Sequence, residues 1–150
     1  MRRLLFILVL VCLVGCGGGE KTPEPETPLY YDIGAIHKDV TTDSKEAQLW
    51  FDRGLGLAYG FNHEEAVVCF EKAMELDPDL AMAYWGKAYA LGPNYNNMDM
   101  EEEASVAAHE AVQQAVTKSD GVNQVEKDLI EALANRYALP APEDRTELNS

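Results

Sequence analysis

The fold is decided by one stretch, residues 47–91, which reads AQLWFDRGLGLAYGFNHEEAVVCFEKAMELDPDLAMAYWGKAYAL. Its apolar and small residues recur three, four and seven positions apart, which is the spacing of one face of a helix. Asp77 and Pro78 interrupt this pattern, because proline lacks the backbone N–H that a helix needs and restricts the residue before it. The pattern restarts at Ala81, 34 residues after Ala47. We therefore predict two helices in a hairpin, followed by a third helix that resembles the first.

The same residues carry a family resemblance. A period of about 34 residues is typical of helix–turn–helix arrays, and the stretch resembles a tetratricopeptide repeat (TPR). The resemblance implies an all-α fold, a TPR-like helix–turn–helix solenoid of about five helices in which neighbouring hairpins cover each other's apolar faces. Arg53 departs from the family pattern, which usually has leucine there. The positions that match the pattern, and that we expect to be structural, are Trp50, Gly54, Leu57, Ala66, Phe70, Ala73, Pro78, Tyr84 and Ala88.

Helix boundaries follow from residues that cap or break helices. Asn62 and Glu65 have the spacing of a capping box, and Asn123 and Glu126 repeat it. Asp79 is the expected cap of the third helix. The last helix has an apolar face formed by Val125, Leu129, Ile130, Leu133 and Tyr137. Together these signals predict helices over about 44–60, 63–76, 80–91, 100–118 and 124–138.

A loop of residues 92–99, GPNYNNMD, separates the third and fourth predicted helices. It is longer than the turns between the other helices, and loops longer than the local norm often carry function. The alternative is a plain spacer before a long helix. Asp99, at the end of the loop, is the expected start of the fourth helix.

Charge and composition limit the partners and the chemistry. The chain has 150 residues, which suits one domain of ordinary size, and a formal net charge of −14. Such an acidic chain is not expected to bind nucleic acid, because phosphate binding depends on Lys and Arg. No motif for a cofactor, a metal or a catalytic constellation is recognisable, so we expect none of these. Cys69 lies beside Phe70 on a packed helix and is expected to be buried and inert.

The first residues have the features of an export signal. Residues 1–15 combine two arginines with an apolar run that is too short for a comfortable transmembrane helix. Leu13, Val14, Gly15 and Cys16 resemble the lipobox of bacterial lipoproteins, which implies that Cys16 carries fatty acyl chains. Several acyl chains make a stable membrane anchor. The alternative is an ordinary signal peptide with an incidental cysteine.

The anchor resemblance implies a location in the bacterial cell envelope. Gly17, directly after Cys16, favours the outer membrane over the inner membrane in this interpretation. Residues 16–28 then form the lipidated cysteine and a flexible tether, because they contain Gly, Pro and Glu and no large apolar residue. Residues 29–43 are an irregular lead-in and residues 44–139 the TPR-like helical domain. Residues 140–150 form a polar tail at which the repeat array could be truncated.

Function follows from the family resemblance and not from a visible chemical site. The resemblance implies a membrane-anchored, exported scaffold for protein–protein interaction, whose partner is another protein or a peptide. In such repeats the first helix of each pair lines the binding surface. We therefore expect exposed positions of the first helices to contact the partner, namely Gln48, Phe51, Asp52, Leu55, Tyr59 and Lys87.

Two alternatives remain open at this level. One is an exported enzyme with a metal site that uses His37, His63 and His109 as ligands, although none of them lies in a recognisable metal-binding motif. The other is a fragment of a larger multi-repeat protein. The stretch MAYWGKAYALGPNYN resembles a group of bacterial TPR proteins that are much longer than this chain.

Overall fold

The computed structural model describes residues 34–148, and its helices belong to one compact unit, Ile33–Ser150. The described residues contain no strand and only a single antiparallel bridge, between Asn94 and Asn97. The all-α class is confirmed. The predicted signal peptide, Cys16 and the predicted tether lie outside the described residues. The helices are α1 (Lys45–Tyr59), α2 (His63–Leu76), α3 (Ala81–Leu91), α4 (Glu102–Thr117) and α5 (Gln124–Ala134), with a 3-10 turn at Ser119–Gly121 between the last two.

The helices form a consecutive stack. Each one packs mainly against the next in sequence, while α1 also contacts α3, and α3 contacts α5. This order of contacts is that of an array of helical hairpins, as the repeat pattern predicts. None of the described helices is long and apolar enough to cross a membrane.

The centre of the first hairpin is the ring of Phe70, which is fully buried. A Cβ atom at Gly54 would lie 2.7 Å from this ring, and a Cβ atom at Gly86 would lie 2.3 Å from it. Helices α1 and α3 therefore both come close to α2 at a glycine, where the absence of a side chain leaves room for the ring of Phe70. Most of the predicted structural positions are buried, namely Trp50, Gly54, Leu57, Ala66, Phe70, Ala73 and Ala88. Of the other two, Tyr84 is half-buried and Pro78 is exposed.

Arg53, the departure from the repeat pattern, is buried without breaking the hairpin. Its guanidinium lies over the ring of Trp50, 4.6 Å from the ring centre, as a cation–π contact. Cys69 is also buried, and this burial raises the pKa of its thiol to about 11. A thiol with such a pKa is almost entirely protonated at neutral pH, which agrees with the predicted inert role.

Of the three predicted caps, Asn62 is right in position but not in its side-chain bond, Asp79 is wrong, and Asn123 is confirmed. The first residue before α2 is Asn62, but its side chain makes no capping hydrogen bond. The third helix is preceded by Leu80 and not by Asp79, because the carboxylate of Asp77 accepts a hydrogen bond from the backbone N–H of Asp79 and organises that turn. Asn123 does cap α5, and its side chain accepts a hydrogen bond from the backbone N–H of Glu126.

The fourth and fifth helices are also shorter than predicted. Helix α4 begins after Glu101 and not directly after Asp99. Helix α5 ends at Ala134, because the N–H groups of Arg136 and Tyr137 bond to carbonyls three residues earlier. Such tightening of the last turn is a common way to end a helix.

The last helix packs on α3 and α4 by part of its predicted face. Ile130, Leu133 and Tyr137 are buried, but Val125, which was predicted on the same apolar face, is 60% exposed and does not pack with them. The hydroxyl of Tyr137 donates a hydrogen bond of 2.6 Å to the carbonyl of Ala88 at the end of α3. Burial raises the pKa of Tyr137 to about 12.

Candidate functional site

The predicted partner-binding positions on α1 and α3 are mostly not exposed. Phe51, Asp52 and Leu55 are buried, so the expectation that they lie on the surface is wrong. Gln48 and Lys87 are half-buried, and Lys87 pairs with Glu71 at 2.6 Å. Tyr59 alone of the six is well exposed. The binding role of the six positions stays a prediction.

Part of this burial is caused by residues 34–43, which precede α1 in the sequence and run alongside it without regular secondary structure. The side chain of Gln48 accepts a hydrogen bond from the N–H of Val40 at 3.1 Å and donates one to the carbonyl of Lys38 at 3.0 Å. The carboxylate of Asp52 accepts from the N–H of Lys38 at 3.1 Å and lies 2.7 Å from Nδ1 of His37. Helix side chains therefore bind the main chain of this segment.

The same segment continues from α1 to α5. The N–H and hydroxyl of Thr41 both donate to Oε1 of Glu126, each at 3.0 Å. Glu126 is buried, and no hydrogen bond satisfies its other carboxylate oxygen among the described residues. The face of α1 that carries Gln48 and Asp52 is thus covered by the chain itself.

An aromatic cavity lies at the other end of α1, and no segment within residues 34–148 covers it in this way. Four large side chains that border it are well exposed: Tyr59 (61%), Phe61 (56%), Tyr95 (92%) and Met98 (54%). Clusters of exposed apolar side chains of this kind mark binding surfaces more often than single ones do. The cavity has a volume of about 370 Å³, and its walls are Ala58, Tyr59, Phe61, His63, Tyr89, Pro93, Asn94, Tyr95, Met98 and Arg136.

Phe61 is placed on this surface by an unusual backbone conformation. Its φ is +61°, in the left-handed region, where a bulky residue is strained. The N–H of Phe61 bonds to the carbonyl of Ala58, and the N–H of Asn62 bonds to that of Leu57. This is the Schellman arrangement that ends many helices, and glycine usually takes the left-handed position. Here glycine stands one residue earlier, at Gly60, and a phenylalanine takes the strain.

Two polar side chains of the aromatic cavity, His63 and Arg136, lack partners among the described residues. Both ring nitrogens of His63 are buried and make no hydrogen bond to the described residues, and the ring of Phe61 meets this imidazole edge-on at 6.0 Å. Arg136 makes no ion pair with a described carboxylate. Buried polar groups are normally hydrogen-bonded, so the two imidazole nitrogens of His63 keep unused hydrogen-bonding capacity beside the cavity.

The loop of residues 92–99 supplies one wall of the aromatic cavity. The side chain of Asn94 accepts hydrogen bonds from the N–H groups of Asn96 and Asn97, at 2.9 and 3.1 Å. These bonds and the bridge between Asn94 and Asn97 form a tight turn that leaves Tyr95 almost fully exposed at its apex. Of the two interpretations of the loop, this placement favours the functional one.

A larger cavity, of about 690 Å³, lies between the start of α4 and residues 139–146. The guanidinium of Arg145 lies near the ring of Tyr137 and donates to the carbonyl of Arg136, while Nε and Nη1 of Arg145 have no hydrogen-bond partner among the described residues. Most of the charged side chains around this cavity are acidic: Asp99, Glu102, Glu143 and Asp144. It has no aromatic wall, and it is a weaker candidate than the aromatic cavity.

The three histidines lie in three different environments. His37 lies beside two aspartates, at 2.7 Å from Asp52 and 2.8 Å from Asp39. His63 lines the aromatic cavity, and His109 lines another cavity, beside α3 and α4. Among residues 34–148, no three His, Cys, Asp or Glu side chains are arranged to hold a metal ion.

Most of the aromatic cavity was not predicted from the sequence. Tyr59 was predicted to contact a partner and His63 was considered as a metal ligand, but Phe61, Tyr89, Tyr95 and Arg136 were not assigned to a site. No local signal marks Phe61, because an apolar residue directly after a glycine that ends a helix is common.

Comparison with known proteins agrees with the geometry of the first hairpin. Residues 47–80 match the tetratricopeptide repeat family, and the match covers one repeat. Repeats of this family generally mediate protein–protein interaction and are typically not catalytic. No curated protein and no solved structure matches the chain significantly.

Proposed function

We propose that this chain is an exported, lipid-anchored TPR protein that serves as a protein–protein interaction scaffold in the bacterial envelope. The observation that carries the proposal is the aromatic cavity at the end of the repeat hairpin, where exposed aromatic side chains surround unpartnered polar groups. Aromatic residues and arginine are the side chains that most often anchor protein interfaces. The partner is another protein or a peptide that inserts a side chain into this cavity.

The architecture of the hairpin supports this role. Tyr59 is the last residue of the well-packed helix α1, and Phe61 lies two residues beyond it. Tyr89 is held by a stacked contact with Trp85, with the ring centres 5.3 Å apart. Rigid aromatic side chains lose little conformational entropy when a partner binds. The cavity is therefore largely preformed, which favours binding.

Site-specific cross-linking in cells tests the interaction. A photoreactive phenylalanine analogue replaces Tyr95, and in a matched control it replaces Val68, an exposed residue on α2. We expect covalent adducts of defined mass from position 95 and not from position 68. Tyr59→Ala in the same chain should reduce these adducts. Equal yields at the two positions would overturn the proposed interaction surface.

The lipid anchor and the outer-membrane location are supported by the sequence of residues 1–17, which lie outside the described residues. Cys16→Ser removes the thiol that directly follows the lipobox-like Leu13, Val14 and Gly15. We expect this variant to lose its membrane association or to remain unprocessed, whereas Cys12→Ser should behave like the parent chain. Unchanged membrane fractionation and unchanged mass of the mature Cys16→Ser protein would exclude the anchor.

A further inference from the structure

We infer that the aromatic cavity recognises a peptide segment that carries an aromatic side chain close to a carboxylate. This inference rests on the proposed function and adds the chemical class of the ligand to it. Its two parts are an aromatic wall that accepts a ring and a cationic edge that accepts a carboxylate.

The aromatic wall is formed by side chains from three segments. Tyr59 ends α1, Tyr89 lies in the last turn of α3, and their rings meet edge-on at 6.5 Å. Phe61, from the turn after α1, and Tyr95, from the loop of residues 92–99, also line the cavity. Aromatic pairs favour edge-to-face and offset geometries, so an incoming ring has suitable faces and edges to meet here.

The size of the aromatic cavity sets a limit on the ligand. Pockets that hold a drug-sized molecule have volumes of about 300–1,000 Å³. At about 370 Å³, this cavity lies near the lower end of that range. It suits one large side chain with the atoms next to it, and it is too small for a whole helix.

The cationic edge is Arg136, which lines the cavity at the end of α5. The walls contain no carboxylate, although the chain as a whole has a net charge of −14. Arg136 has no acidic partner among residues 34–148. Arginine binds carboxylates through two parallel hydrogen bonds, which gives both strength and direction.

His63 adds hydrogen-bonding capacity to this arrangement. Its two ring nitrogens are buried and have no hydrogen-bond partner among the described residues, and an imidazole ring can donate and accept hydrogen bonds. A peptide backbone offers both complementary groups, an N–H and a carbonyl. The combination of a ring and a carboxylate therefore matches the aromatic wall and Arg136, and a short piece of main chain beside them offers the donor and acceptor that the imidazole of His63 lacks among the described residues.

The main competing ligand is an organic cation, because clusters of aromatic rings can also bind ammonium groups. Two features of the cavity oppose this assignment. A guanidinium lines it, and no carboxylate does. A cation that entered would be repelled by Arg136 and would find no anionic partner in the walls.

Two small probes with the same ring and opposite charges test the inference on the full chain in a mild detergent. The probes are 3-phenylpropionate and phenethylamine, and the reporter is the methyl NMR signal of Met98, which lines the cavity. We expect 3-phenylpropionate to shift this signal with an affinity about tenfold higher than that of phenethylamine, because a hydrogen-bonded charge pair contributes about one power of ten or more. Equal or stronger binding of phenethylamine, or no shift with either probe, would overturn the inference.

Substitutions of Arg136 provide the matched variants. Arg136→Gln should remove the preference for 3-phenylpropionate, and Arg136→Lys should keep part of it because the charge remains. A cation near the end of a helix also stabilises the helix dipole, so the unfolding midpoint of each variant is measured alongside. A preference that is unchanged in Arg136→Gln would contradict the assigned role.

The failure of this inference differs from the failure of the proposed function. If cross-links from position 95 depend on Tyr59 but not on Arg136, the interaction surface stands and the ligand class is wrong. If 3-phenylpropionate binds through Arg136 but no protein cross-links at position 95, the ligand class stands and the scaffold function is wrong.

Discussion

A Cβ atom on Gly86 would lie 2.3 Å from Cε1 of Phe70, closer than real side-chain contacts allow. Gly86 is in α3 and Phe70 in α2, so this contact sets the distance between the two repeats. Gly54 approaches the same ring from α1, with a corresponding distance of 2.7 Å. The buried ring is therefore held from both sides, and it cannot move away from one helix without meeting the other.

We expect Gly86→Ala and Gly54→Ala to destabilise the protein despite the higher helix propensity of alanine. Overpacking costs about 1–3 kcal/mol, whereas alanine in a helix gains about 1 kcal/mol over glycine. The loss should be larger for Gly86, where the approach is closer. Chemical denaturation measures it, with Gly121→Ala as the control, since a Cβ atom there meets nothing within 4 Å. Midpoints equal to that of the control would contradict this packing.

A second prediction concerns the contact between Tyr137 and the end of α3. The carbonyl of Ala88 would bond to the N–H of Gly92 in a continuing helix, but that N–H bonds to Tyr89 instead. The hydroxyl of Tyr137 supplies the missing donor. Tyr137→Phe leaves this carbonyl buried and unsatisfied, which costs about 1–3 kcal/mol. The exposed Tyr95→Phe is the control and should not change the unfolding midpoint.

A third prediction is a pH dependence at the lead-in. Hydrogen bonds to Asp52 and then to Asp39, together with their negative charges, raise the pKa of His37 above its usual value of 6.5. Because the folded pKa is the higher one, the contribution of His37 is fully present below pH 6.5 and is lost as the pH rises through the folded pKa. The contacts of residues 37–40 with α1 should therefore weaken in mildly basic solution.

An NMR titration of His37 checks this prediction directly. The pKa of the imidazole should be above 6.5 in the parent chain and closer to 6.5 in Asp52→Asn. Chemical shifts of residues 38–40 should follow the same titration, and in His37→Gln they should no longer change over that range. A His37 pKa at or below 6.5 would contradict the contact with Asp52.

The repeat hairpin was predictable from the sequence because its signal is local. The spacing of Trp50, Gly54 and Phe70, and the proline at position 78, predict the helices with boundaries close to those observed. Gly86 was not singled out, although its contact with Phe70 is closer than that of Gly54. A glycine inside a predicted helix indicates close packing against another helix only when the residue that faces it is known.

The lead-in and the aromatic cavity could not be predicted in the same way. The bond between Thr41 and Glu126 joins residues 85 positions apart, and no periodic pattern marks such a pair. The cavity collects side chains from the end of α1, the end of α3, the loop of residues 92–99 and the end of α5. Each of these residues is unremarkable in its own segment, and only the stack of helices brings them together.

The last prediction separates the effect of Phe61 on the stability of the protein from its effect on ligand binding. A non-glycine residue in the left-handed region costs about 1–3 kcal/mol, and the ring of Phe61 is 56% exposed, so its packing returns little of this cost. Phe61→Gly relieves the strain but increases the entropy of the unfolded chain by about 0.4–1 kcal/mol. We therefore expect an unfolding free energy that is unchanged or higher by about 1 kcal/mol.

The same Phe61→Gly substitution should weaken the binding of 3-phenylpropionate and the cross-links at position 95, because it removes one side of the aromatic cavity. Val68→Ala, which truncates another exposed apolar side chain, is the control and should leave both unchanged. Greater stability with weaker binding would mean that the strain at Phe61 is maintained for the ligand. A loss of stability well above 1 kcal/mol, with binding retained, would instead make Phe61 a structural residue of the hairpin turn.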